Sequence, residues 1–122
     1  GVIMNQQTVD IFNPKTIRAT MGSIFRVPFV YVPELSPVLT QMHERGIHTY
    51  AAHLKGQKYY DSFSFREPTA FLIGNEGNGL TKEISDQAGQ YLKIPMEGKV
   101  ESLNASIAAA LLMYEAHRQR NL

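Results

Sequence analysis

Residues 74–80, Gly-Asn-Glu-Gly-Asn-Gly-Leu, follow the apolar run Ala70 to Ile73 and precede a helix-start signal at Thr81. This order sets three glycines and one carboxylate on a strand-to-helix turn. Gly74, Gly77 and Gly79 are expected to take backbone conformations closed to other residues and to let a ligand approach the main chain closely. Packing alone accounts for such glycines equally well. The turn therefore marks an element boundary first, and a ligand loop only where its surroundings agree.

Outward from this turn the same punctuation recurs. Asn13 before Pro14 reads as an N-cap and first-turn proline, with Ile17, Met21 and Ile24 near one helical face and Gly22 as the stop. Ser36-Pro37 repeats that opening, with Val38, Leu39 and Met42 as the apolar stripe and Gly46 as the exit. Between these helices lie strand-like runs at 29–32, 47–52, 70–73 and 91–94, after a strand-like opening at Gly1 to Met4. The alternation of apolar strands with helices predicts an α/β fold, a mainly parallel sheet with helices on both faces.

The longest predicted helix is the last. Leu103, Ile107, Leu111 and Tyr114 recur at helical spacing, and His117, Arg118 and Arg120 near its end complement the helix dipole. Its all-apolar middle, residues 108–113, is wider than a one-sided stripe requires, which predicts burial on two sides or a subunit interface. Residues 53–68 form a long connection that mixes Lys55, Lys58 and Arg66 with Tyr59, Tyr60, Phe63 and Phe65. Aromatics among cations suit base stacking and phosphate contact. The plainer reading, which we favour, tucks Phe63 and Phe65 onto the domain and leaves the charges solvated.

Composition bounds the rest. At 122 residues and 43% apolar content the chain can bury one core, so residues 1–122 are expected to form a single domain. No cysteine is present, which is compatible with a reducing cytoplasm, the expected location. The longest apolar run, Ile107 to Tyr114, falls far short of the roughly 20 residues of a membrane helix, and Gly1 to Met4 lacks the basic flank of a signal peptide. A net charge of +1 argues against a stand-alone nucleic-acid module. His43, His48 and His53 lie on different predicted elements without a completing carboxylate pattern; they read as surface or loop residues, and no metal site is expected.

Residues 94–106, Ile-Pro-Met-Glu-Gly-Lys-Val-Glu-Ser-Leu-Asn-Ala-Ser, run from a strand end through a Pro stop and a Gly turn into the last helix, about twenty residues behind the first loop. Together the two segments resemble the second and third signature motifs of the SpoU family of RNA ribose 2'-O-methyltransferases. Asp10 to Pro28, DIFNPKTIRATMGSIFRVP, is also similar to that family's pattern, so the resemblance covers nearly the whole chain. It implies an α/β trefoil knot, S-adenosyl-L-methionine as cofactor, ribosomal or transfer RNA as substrate, and a homodimer with the last helix in the interface.

Residue by residue, the resemblance makes Gly74, Asn75, Glu76, Gly77, Ile94, Met96 and Leu103 the cofactor-binding candidates, and Glu76, Ser102 and Asn104 the catalytic ones. Read without it, Ile94 and Leu103 are core residues, Glu76 is a solvated carboxylate, and Ser102 or Asn104 caps the last helix. Lys15, Arg18 and Arg26 fall in the segment expected to face RNA, although three cations over twelve positions also describe a solvated face. The family's first motif, an Asn-containing loop ending in an Arg that activates the hydroxyl, has no match here. The N-terminal part of the catalytic domain is therefore expected upstream of Gly1, and this chain alone is expected to bind cofactor and transfer poorly. Two other readings stay open: a non-catalytic cofactor- or RNA-binding module, and a nucleotide-binding α/β enzyme. The second lacks both the Lys-Ser/Thr of a phosphate loop and the GxGxxG spacing.

Overall fold

Asn13 Oδ1 accepts a hydrogen bond from the Lys15 N–H at 2.9 Å, and Pro14 behind it supplies a preset φ, so the first helix, α1 (Pro14–Ala19), begins where the sequence predicts. It ends earlier. Met21 (φ 49°) and Gly22 (φ 87°) both take left-handed backbone, which cannot continue a right-handed helix. Met21 and Ile24 are therefore not on the α1 face; Met21 is 88% exposed, and Ile24 lies in a short 3-10 turn, Ser23–Phe25. The apolar spacing ran through a reversal of the chain.

The computed structural model describes residues 1–100 and 102–122, and the chain divides into two compact units, Gly1–Val38 and Leu39–Leu122. In the first, β1 (Val2–Asn5) pairs in parallel with β2 (Phe29–Val32), Val2 opposite Phe29. The Tyr31 hydroxyl donates to the Val9 carbonyl at 2.8 Å and accepts from the Ile11 N–H at 2.9 Å, pinning the connection between them.

The division falls within α2 (Ser36–Glu44). That helix stops at Gly46 (φ 74°): the Gly46 N–H donates to the His43 carbonyl and the Ile47 N–H to the Met42 carbonyl, a left-handed cap that favours glycine. Then follow β3 (His48–Ala52), β4 (Thr69–Leu72), α3 (Lys82–Gln87), β5 (Gln90–Leu92) and α4 (Ala105–Arg120). Thr81 caps α3 by accepting the Ile84 N–H. The sheet order is β4-β3-β5 with both pairings parallel, so the predicted parallel sheet is found as a two-stranded and a three-stranded one.

Strand periodicity puts Tyr50, Phe71 and Leu92 on one face, where they meet Phe65 of the 53–68 connection and Leu112 and Ala116 of α4. The opposite face carries Thr49 and Ala51, both buried. There the Thr49 hydroxyl bonds His43 of α2 and the Gly89 N–H, each at 2.8 Å. Phe65 is fully buried, 5.0 Å ring to ring from both Tyr50 and Phe71, so the plainer reading of its loop holds. Among the described residues no helix is long and apolar enough to cross a membrane.

Two hydrogen-bonded arrangements hold this unit. Around the end of β5, the His53 N–H donates to the Leu92 carbonyl, the Lys93 N–H to the Lys58 carbonyl and the Tyr60 N–H to the Lys93 carbonyl, each at 2.9 Å. Gly56 passes so close that a Cβ there would lie 2.8 Å from the Leu92 carbonyl carbon. At the end of α4, Gln119 accepts the Phe65 N–H at 2.6 Å and donates to the Phe63 carbonyl at 2.9 Å and to Glu115 at 2.8 Å. Arg118 closes on Glu115 through two bonds of 2.8 Å.

The Arg118 guanidinium first, and the Gln119 amide second, lower the Glu115 carboxyl from 4.5 to about 2. A depressed folded-state value contributes stability that is complete above the unfolded value and is lost as pH falls towards about 2. Urea denaturation at pH 5 and pH 3 should therefore show a smaller loss for Glu115→Gln than for the wild type, and an equal loss would contradict the assignment.

Candidate functional site

Parallel strands open their ligand crevices at their carboxyl ends. Here β3, β4 and β5 end side by side, and the chain beyond each, together with the start of α4, lines a cleft of ≈ 320 Å³. That volume is at the small-molecule scale. From β4 come Ile73 and the loop Gly74, Asn75, Glu76 and Gly77; from β5, Lys93, Ile94 and Met96; before and within α4, Ser102, Leu103, Ala105 and Ala108. The structure thus brings together all seven cofactor-binding candidates and Ser102.

The loop closes on itself. Asn75 accepts the Asn78 N–H through Oδ1 at 2.6 Å and the Gly79 N–H through its carbonyl at 3.0 Å, while Gly79 takes φ 64°. The returning chain passes so near Gly74 that a Cβ there would sit 2.2 Å from both the Gly79 carbonyl carbon and the Leu80 nitrogen. The three glycines therefore differ. Only Gly79 has left-handed backbone, Gly74 serves a close approach within the loop, and at Gly77 a Cβ would meet only Asn75 Oδ1 at 3.6 Å.

Asn104 is not among the lining residues but controls one that is. Its Oδ1 accepts the Ser106 N–H at 2.9 Å and the Ile107 N–H at 3.3 Å, capping α4. Those two donors fix which way the carboxamide faces, so Nδ2 points outward and donates to Glu76 Oε1 at 2.7 Å. A single side chain starts the last helix and holds the loop carboxylate at a helix N-terminus, where negative charge is favoured. Ser102 is exposed in the same cleft.

Lys15, Arg18 and Arg26 are exposed in the first unit, and Arg18 Nε folds back onto the Pro14 carbonyl at 3.4 Å. Among the described residues no three His, Asp or Glu side chains converge as cation ligands would. Sequence reading missed Ala52, His53 and Leu54 at the end of β3, and Lys93 at the end of β5. His53 is a loop residue, as the sequence predicts, and also the first residue past a parallel strand end, the position where such crevices open.

The model of the SpoU rRNA Methylase family matches residues 1–114. The chain belongs to the SpoU rRNA methylase family. It is 34% identical over 121 residues to a Bacillus subtilis protein named as a TrmH family tRNA/rRNA methyltransferase, YacO, covering 99% of this chain and 49% of that protein. The crystal structure of the SpoU methyltransferase AviRb from Streptomyces viridochromogenes in complex with AdoMet superposes with a TM-score of 0.90 at 35% identity, over 98% of this chain and 47% of that one. A structure described as an RNA 2'-O ribose methyltransferase gives 0.84 at 33% identity, over 99% and 46%. The chain spans about half the length of each of these three relatives.

The loop geometry is testable without any ligand. Gly74→Ala should cost at least ~1 kcal/mol in urea denaturation because backbone must move, whereas Gly77→Ala should stay within ~0.5 kcal/mol of the wild type. Equal effects would mean that the loop does not close on Gly74.

Proposed function

We propose that the protein carrying this chain is a SpoU-type RNA methyltransferase that uses S-adenosyl-L-methionine to methylate a ribose 2'-hydroxyl of ribosomal or transfer RNA. The observation that carries this reading is the gathering of two separated motifs in one cleft, with Glu76 of its lining tied to Asn104 at the start of α4. Residues 1–122 are read as catalytic domain, and the site of action as the cytoplasm. The enclosure of Leu92 and Lys93 by the 53–60 chain supports the trefoil knot of the family.

The residues present fit the cofactor. The cleft is part apolar, through Ile73, Leu80, Ile94 and Leu103, and part polar, and Gly77, where a Cβ would meet only Asn75 Oδ1, leaves its backbone uncrowded at the cleft wall. Gly74, Asn75, Gly77, Ile94, Met96 and Leu103 would hold the cofactor, largely through main-chain groups. When bound, the cofactor supplies an electrophilic methyl group. Methyl transfer is an in-line displacement, so the protein's task is to fix the ribose oxygen against that group. Ser102 offers a hydroxyl for this, and Glu76 a carboxylate able to accept the ribose proton. Asn104 orients Glu76. The exposed Lys15, Arg18 and Arg26 are assigned to RNA phosphates.

Full-length protein incubated with methyl-tritiated cofactor and RNA lacking the modification should yield label in alkali-resistant 2'-O-methyl dinucleotides. Label in a base would overturn the ribose assignment, and binding without transfer would favour a non-catalytic module. Gly77→Val, whose Cβ would meet only Asn75 Oδ1 at an ordinary 3.6 Å, should abolish cofactor binding in calorimetry with an unchanged circular dichroism spectrum.

Ile107 (53% exposed), Leu111 (38%) and Tyr114 (75%) lie on one face of α4, and such a face supports a homodimer contact. Leu111→Glu would set a charge in a desolvated contact, so sedimentation should show monomer or aggregate. A wild type that is monomeric at micromolar concentration would count against the dimer.

A further inference from the structure

The imidazole of His53 is held on two sides. The Lys55 N–H donates to its Nδ1 at 3.0 Å, and the ring stacks on Tyr91 at 4.8 Å with an interplanar angle of 17°. Tyr91 is itself tethered, its hydroxyl donating to Asp86 at 2.9 Å while Lys82 bonds the same carboxylate at 2.6 Å. Because Nδ1 accepts, the neutral ring carries its proton on Nε2. That N–H has no partner among the described residues, and His53 lines the cleft.

A donor whose ring is pinned at one edge and stacked on one face loses little freedom when a ligand takes its other edge. We propose that His53 is a ligand-binding residue of this cleft, donating its Nε2–H to a neutral acceptor on the adenosyl half of the cofactor, a purine ring nitrogen or a ribose hydroxyl oxygen. This rests on the cofactor reading above. The choice of half follows from charge and surroundings: a neutral N–H suits a neutral acceptor, Ala52 and Leu54 beside it are apolar, and the cation Lys93 is the better match for the carboxylate of the amino-acid half.

The test is titration calorimetry of the full-length protein with two probes, S-adenosyl-L-homocysteine and adenosine. His53→Asn keeps an oxygen for the Lys55 N–H but removes the Nε2 donor. Both probes should bind it about tenfold more weakly than they bind the wild type, the scale of one hydrogen bond. Nitrogen NMR of the wild-type imidazole provides a readout that a purely structural role would not move: the Nε2 resonance should shift on adding either probe. Affinities within about twofold of wild type, or an Nε2 resonance unmoved by bound ligand, would overturn the proposal while leaving the cofactor reading intact. A loss for S-adenosyl-L-homocysteine alone would overturn the assignment to the adenosyl half. Failure of the wild type to bind either probe would overturn both readings.

Discussion

The enclosure of the β5 end is the constraint on which the second unit depends. Leu92 and Lys93 bond on one side to His53 and on the other to Lys58 and Tyr60. A buried main chain must place its polar groups somewhere, and here two separate stretches of the 53–68 connection supply the partners. The cleft follows from this. With the strand end fixed, Ile94 and Met96 emerge beside Ala52 and Ile73, and backbone rather than long side chains forms much of the wall. Gly56 is the local cost, since only the absence of a Cβ lets the connection pass over Leu92.

Much of this was legible in sequence where the signal is local. Asn13-Pro14, Thr81 and Gly46 mark helix ends by hydrogen bonds within a few residues, and each does so in the structure. Phe63 and Phe65, two apart, read as facing the domain, and they do. What failed was also local in appearance but tertiary in cause. The apolar spacing from Ile17 to Ile24 is compatible with a helix, yet the chain reverses at Met21 and Gly22.

The site divides along the same line. Motif residues announced themselves because glycines, a carboxylate and Ser-Leu-Asn form a pattern within short windows. His53 and Lys93 did not, because a single His or Lys carries no pattern and acquires meaning only when two strand ends meet. Which glycine of the loop is sterically required was likewise hidden, since that depends on where Gly79 and Leu80 return. The clamp of Gln119 on Phe63 and Phe65 spans more than fifty positions and has no short-range signature.

The two ends of α4 have a temporal consequence. Its first residues, through Asn104, hold Glu76, and its last turn, through Gln119, holds the connection that buries Phe65. In chain order α4 comes after every strand it completes. During synthesis from the N-terminus the strands and the glycine loop leave the ribosome first, with one wall of the cleft missing and an apolar sheet face uncovered. The cleft is therefore complete only once α4 has emerged, and until then the glycine loop lacks the Asn104 bond that holds Glu76 in place.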